Sequence, residues 1–117
     1  MTASARALDR TFHALSDKVR RDVVLLLGDE PRRASELADA LALPRPAMSK
    51  HLKVLREAGL VEEREDREDA RARVYRLRRE SIAGAREWLG EVEAFWGAQL
   101  DAFKAHVEAK SAAKRSK

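Results

Sequence analysis

The chain has 117 residues, 44% hydrophobic and 38% charged, with a formal net charge of +4. That fits one domain with a modest core, at a size where a partner subunit helps, and a basic balance that suits a polyanion such as nucleic acid. Cysteine is absent, which excludes a disulfide framework, a thiolate nucleophile and a cysteine-based zinc site. The first residues lack the apolar core of a secretory signal, and no stretch approaches the ~18 apolar residues of a membrane span. A cytoplasmic protein with no membrane partner is expected.

Ala5, Leu8, Phe12 and Leu15, at steps of three and four, predict a first helix. Ser16 and Asp17 offer oxygens to cap a second, in which Val19, Val23, Leu26 and Leu27 form the buried stripe and Gly28 is the stop. After a connection at Pro31, Ser35 is expected to cap a short third helix that turns Leu37, Ala38 and Leu41 inward. Pro44-Arg45-Pro46 ends it and opens a fourth, because proline is tolerated in a first helical turn. The fourth helix runs to Ala58 and stops at Gly59.

There the period changes from 3.6 to 2. Residues 60–65 and 72–78 read as two short strands, with Tyr75 and Leu77 facing the core. The charged loop from Asp66 to Arg71 joins them and contains no glycine, so it is not a tight type I′ or II′ turn. A last helix is expected to start near Ser81, as its cap. In it Ile82, Ala85, Leu89, Val92, Trp96, Gln99 and Phe103 alternate steps of three and four, close to a coiled-coil seam. Trp88, Phe95, Leu100 and Val107 widen the stripe. Helical to residue 109, this element would span about 40 Å, more than one such domain covers. A homodimer through the first and last helices is expected, at Leu8, Phe12, Leu89, Val92, Phe95, Trp96 and Phe103. Residues 110–117 are small, polar and basic, and are expected to be a disordered tail behind a DNA-binding and dimerisation domain at 1–109.

The expected fold is mainly α with a small β-hairpin, in the order α-α-α-α-β-β-α: a winged helix-turn-helix. A helix fits the major groove of duplex DNA, and a hairpin can reach along the backbone beside it. On the fourth helix Met48, Leu52, Leu55 and Ala58 form an apolar face; Arg45, Ser49, Lys53 and Arg56, with Lys50 beside them, lie opposite. Most charge-rich helix faces are merely solvated. This one sits on the second helix of a turn motif that ends in a charged hairpin, which favours a groove. In the hairpin Arg64, Arg67, Arg71 and Arg73 either reach phosphates or a narrow minor groove, or pair with Glu62, Glu63, Glu65, Asp66, Glu68 and Asp69.

Asp17-Lys18-Val19-Arg20-Arg21, Ser35-Glu36-Leu37-Ala38, the run from Met48 to Leu55, and Ala58-Gly59-Leu60-Val61 resemble the ArsR-type (ArsR/SmtB-like) winged-helix repressors, over about residues 6–105. The resemblance implies a homodimer that binds a palindromic operator in double-stranded DNA, usually repressing its own or a neighbouring operon. It places Ser49, Lys50 and His51 at DNA-contact positions. Arg20 and Arg21 fall in a family signature, where a salt bridge and a phosphate contact fit equally well. Many members bind metal through Cys-x-Cys on the third helix; the matching positions here are Ala38 and Ala40. On the last helix His106, Glu108 and Asp101 do not assemble four ligands. The likeness is therefore to a metal-independent branch, with no metal and no cofactor.

An enzyme is not expected: the chain has no nucleophile with a base, no phosphate-cradling glycine loop and no carboxylate–histidine cluster. Two other readings stay open. One is a winged-helix protein-interaction module that engages a partner through the aromatic last helix. The other is an effector-gated sensor, with an unknown small molecule held near Trp88 and Trp96 at the dimer interface.

Overall fold

The computed structural model describes residues 5–115. Among these residues the order is α1 (Ala5–Leu15), α2 (Lys18–Asp29), β1 (Arg32–Arg33), α3 (Ala34–Ala40), α4 (Arg45–Glu57), β2 (Val61–Glu65), β3 (Arg73–Leu77) and α5 (Arg79–Arg115). The chain divides into two units, Met1–Ala85 and Arg86–Lys117. Met1 to Ser4, Ser116 and Lys117 lie outside the described residues.

The core of the first unit is apolar and drawn from most of its elements: Ala14, Val23, Leu27, Leu37, Ala38, Met48, Leu52, Leu55, Leu60 and Val61. Tyr75, Leu77 and Ile82 pack against it half-buried. On α1 the buried positions are Thr11 and Ala14, while Ala5 is exposed and Leu8, Phe12 and Leu15 are half-buried. The predicted apolar stripe of this helix is thus turned partly away from its own core.

Caps explain most of the helix boundaries. Asp17 starts α2 by accepting hydrogen bonds from the Val19 and Arg20 backbone N–H groups, at 2.8 and 3.2 Å, as an N-cap carboxylate does. These bonds, the one from Arg20 foremost, hold its carboxyl below the usual range. Gly28 does not stop α2, which runs one residue further to Asp29 before Glu30 turns extended. Ser35 does not cap α3. The helix begins at Ala34, two residues before a Ser35 cap would start it, and Glu36 reaches back to accept from the Arg33 backbone N–H at 3.1 Å, the carboxylate half of a capping box.

Between α3 and α4 the chain turns at Ala42, whose φ of 52° is an unusual left-handed conformation for a residue with a Cβ. The Leu43 N–H donates to the Ala38 carbonyl at 2.9 Å, closing the turn. Pro46 sits in the first turn of α4, where its missing donor is harmless. The helix ends as predicted: Gly59 takes φ 76°, the Gly59 N–H donates to the Arg56 carbonyl and the Leu60 N–H to the Leu55 carbonyl, the glycine-terminated ending common to helices.

The expected hairpin is present, but the sheet has three strands in the order β1-β3-β2. β2 pairs antiparallel with β3, Glu63 opposite Tyr75 and Glu65 opposite Arg73. β1 adds Arg32 opposite Tyr75 and Arg33 opposite Val74 on the other edge. A two-residue strand of arginines has no period to read, so the sequence treats it as a connection.

Ser81 does not cap the last helix, which begins at Arg79. Its hydroxyl donates instead to the Gly59 carbonyl, tying the start of α5 to the end of α4. At the far end α5 continues to Arg115, past residue 109 and through most of the segment expected to be disordered. Alanine and lysine, which dominate that segment, are among the best helix formers, and it holds no proline or glycine to stop the turn. Among the described residues, no helix is long and apolar enough to cross a membrane.

Candidate nucleic-acid interface

α4 separates its chemistry by face. Met48, Leu52 and Leu55 are fully buried, and each such side chain contributes about 1.5–3 kcal/mol through removal from water. The outward side carries Arg45, Ser49, Lys50 and Lys53, all exposed. Among the described residues none of these four makes an ion pair or a side-chain hydrogen bond, so their donors are open to a partner.

Arg56, Arg64 and Arg73 differ. Two glutamates of β2 take them up together with Arg76. Glu63 accepts from Arg56 Nη1 at 2.7 Å and lies 3.7 Å from Arg73 Nε. Glu62 lies 3.1 Å from Arg64 Nη2 and 3.4 Å from Arg76 Nε. Such exposed pairs are weak and can exchange for a stronger acceptor. At the tip of the wing Arg67 and Arg71 are exposed, and among the described residues neither side chain has an ion-pair partner.

His51 sits on the other side of α4. Its side chain is 22% exposed, with Nδ1 3.3 Å from Arg20 Nη1 and 4.0 Å from Asp17 Oδ1. Arg20 also donates from Nε to the Ala14 carbonyl at 2.7 Å and from Nη2 to the His13 carbonyl at 3.2 Å. Arg21 Nη1 donates to the Leu15 carbonyl at 2.8 Å. The two signature arginines therefore satisfy the orphan carbonyls at the end of α1.

The wing closes without glycine because two aspartates supply local acceptors. Asp66 Oδ1 accepts from the Glu68 N–H and Asp69 Oδ1 from the Arg71 N–H, both at 3.0 Å, the side-chain turns that aspartate favours. The Asp66 N–H donates to the Ala72 carbonyl at 3.1 Å. Asp66 Oδ2 also accepts from Arg33, at 3.0 Å from Nε and 2.6 Å from Nη2. The Glu68 N–H first and Arg33 second hold the Asp66 carboxyl below its usual range; the same pairing raises Arg33. No sequence signal marks Arg33, since 33 positions separate the partners.

Of the expected dimer residues, Leu8 and Phe12 on α1 and Val92 on α5 are half-buried, while Leu89, Phe95, Trp96 and Phe103 are exposed. Leu100 and Val107 continue that exposed apolar stripe, and the rings of Phe95 and Trp96 meet edge to face at 5.7 Å. Beside α1 and the end of α4, Arg10, His13, Val54, Glu57 and Ala58 line a groove of about 440 Å³. Among the described residues no three histidine, aspartate or glutamate side chains gather as metal ligands; His106, Glu108 and Asp101 are exposed on α5.

Residues 15–64 match the helix-turn-helix domain family. Rv2034, an HTH-type transcriptional regulator of Mycobacterium tuberculosis, is 39% identical over 98 residues, covering 84% of this chain and 86% of that protein. The HTH-type transcriptional repressor SmtB of the same species is 44% identical over 55 residues, 47% of this chain and 41% of that protein. The structure of an ArsR-like transcriptional regulator from Rhodococcus sp. RHA1 matches with a TM-score of 0.71 at 33% identity, over 85% of this chain and 91% of that one. With a capped turn between α3 and α4, a two-faced α4 and a wing behind it, the chain belongs to the ArsR-type winged helix-turn-helix family of DNA-binding transcriptional regulators.

Proposed function

We propose that the protein is a cytoplasmic, homodimeric repressor that binds a palindromic operator near its own or a neighbouring operon without a metal or other cofactor. The observation that carries this reading is the outer face of α4: Arg45, Ser49, Lys50 and Lys53 are exposed with free donors over a fully buried inner face. In a major groove such donors meet base-edge acceptors, each good bidentate pair discriminating by about 1–3 kcal/mol. Arg67 and Arg71 reach phosphates beside the groove. Arg56, Arg64 and Arg73 join them by exchanging a glutamate for a phosphate. His51 acts from beneath α4 as a positioning residue, held by Arg20, and not as a base contact.

A second copy meets the apolar stripe of α5 and presents the other recognition helix, with half-site centres about 10 base pairs apart. Repression follows where the operator overlaps a promoter, as the name of the related SmtB suggests. Metal independence rests on Ala38 and Ala40 at the positions of the family's paired cysteines.

Fluorescence anisotropy with the protein's own upstream duplex and a scrambled duplex tests the proposal. Saturable, tighter binding to the native duplex is expected, weakening steeply between roughly 50 and 200 mM salt as counterions compete. Equal, weak binding to both would contradict an operator-specific repressor.

A further inference from the structure

We infer that Arg33 and Asp66 form a clamp that holds the wing in register with α3 and the helix-turn-helix, making both of them positioning residues for DNA binding. The inference rests on the reading of the wing as a phosphate-contacting element.

Arg33 is the residue at which β1 passes into α3. Its backbone is pinned on both sides: it pairs with Val74 of β3, and its N–H donates to Glu36 of α3. The guanidinium then reaches across the sheet to the neck of the wing and places two donors on Asp66 Oδ2. Asp66 Oδ1 accepts from the Glu68 N–H at the same time, so one carboxylate both shapes the wing turn and anchors it. Asp66 is 17% exposed and Arg33 39%, which shields this pair from water better than Arg64–Glu62, where the arginine is 59% exposed. A planar fork on a carboxylate fixes direction as well as distance. The wing-tip cations Arg67 and Arg71 lie one and five residues beyond this anchor.

The wing tip is exposed, and the turn is closed by hydrogen bonds among residues 66–72 themselves, which shape it but do not tie it to α3 as the Arg33 fork does. A wing that is free to wander occupies its DNA-competent position only part of the time, and affinity falls by that fraction.

Asp66→Asn separates positioning from simple charge by sign. The substitution removes a negative charge next to the wing cations, so electrostatics alone gives tighter binding to DNA. Loss of the clamp gives weaker binding, by about three- to tenfold. The experiment compares wild type, Asp66→Asn, Asp66→Glu, Arg33→Lys and the double variant Arg67→Ala/Arg71→Ala on one duplex that the wild-type protein binds saturably. Amide exchange is followed at Glu68 and Arg71 in the free proteins. Expected are weaker binding and faster wing exchange for Asp66→Asn and for Arg33→Lys, which keeps the charge but loses the fork, with affinity recovered toward wild type in Asp66→Glu, though not the Glu68 amide protection that the short aspartate side chain supplies. Arg33→Lys keeps the test readable if Asp66→Asn folds poorly. Unchanged or tighter binding by Asp66→Asn and Arg33→Lys, with clear weakening in the Arg67→Ala/Arg71→Ala variant, overturns the clamp and leaves the wing reading standing. Wild-type affinity in the Arg67→Ala/Arg71→Ala variant overturns the wing reading and the clamp with it.

Discussion

Arg20 joins three elements through one guanidinium: it caps the carbonyls of His13 and Ala14 at the end of α1, stands in the first turn of α2, and meets His51 on α4 at 3.3 Å. A position that sequence leaves undecided between a phosphate contact and a structural bond is thereby structural. His51 follows the same logic. It lies three residues after Met48 and four before Leu55, the spacing of one helix face, so periodicity alone marks it as adjoining the buried stripe. The family resemblance counts it among the DNA contacts; its contact with Arg20 supports the positioning role proposed for it. Replacing Arg20 with methionine keeps the aliphatic stem but takes away the donor to the Ala14 carbonyl, while the His13 carbonyl keeps Ser16. A stability loss of roughly 1–3 kcal/mol is expected, read as a lower urea midpoint with unchanged slope.

At the scale of elements, the helices α1 to α4 and the strands β2 and β3 are legible because each carries a period, a cap or a breaker: Asp17 before α2, Pro46 in the first turn of α4, Gly59 after it. The elements that escape prediction lack such marks. β1 is two arginines recruited by the edge of β3, a pairing made by tertiary structure and not by local propensity. Ser81 has the right chemistry for a cap but finds the Gly59 carbonyl first. The wing is predicted as a charged loop, yet its closure by Asp66 and Asp69 depends on which acceptor each amide reaches, and charge counting cannot tell that. The same limit applies to the hairpin arginines. Cross-strand and same-face neighbours decide that Glu62 and Glu63 engage Arg56, Arg64 and Arg73, while Arg67 and Arg71 remain open.

On the scale of the whole molecule, α5 is 37 residues long, about 55 Å at 1.5 Å per residue. Along it Trp96, Leu100 and Phe103 are 58–65% exposed. A monomeric protein rarely leaves such a stripe uncovered, and we propose a second copy as its symmetric cover. Wild-type protein is expected to sediment as a dimer at micromolar concentration, and the double variant Trp96→Glu/Leu100→Glu as a monomer. A monomeric wild type would contradict the homodimer. DNA contact by the open cations of α4 is tested by Lys50→Glu/Lys53→Glu, titrated against the protein's own upstream duplex across salt. Both positions are exposed and outside the core, so the fold should be retained. Affinity is expected to fall by roughly tenfold or more, and the salt slope to shrink by about one unit for each phosphate no longer neutralised. Unchanged affinity and an unchanged slope would contradict that contact, and would place the DNA-binding surface elsewhere on the molecule.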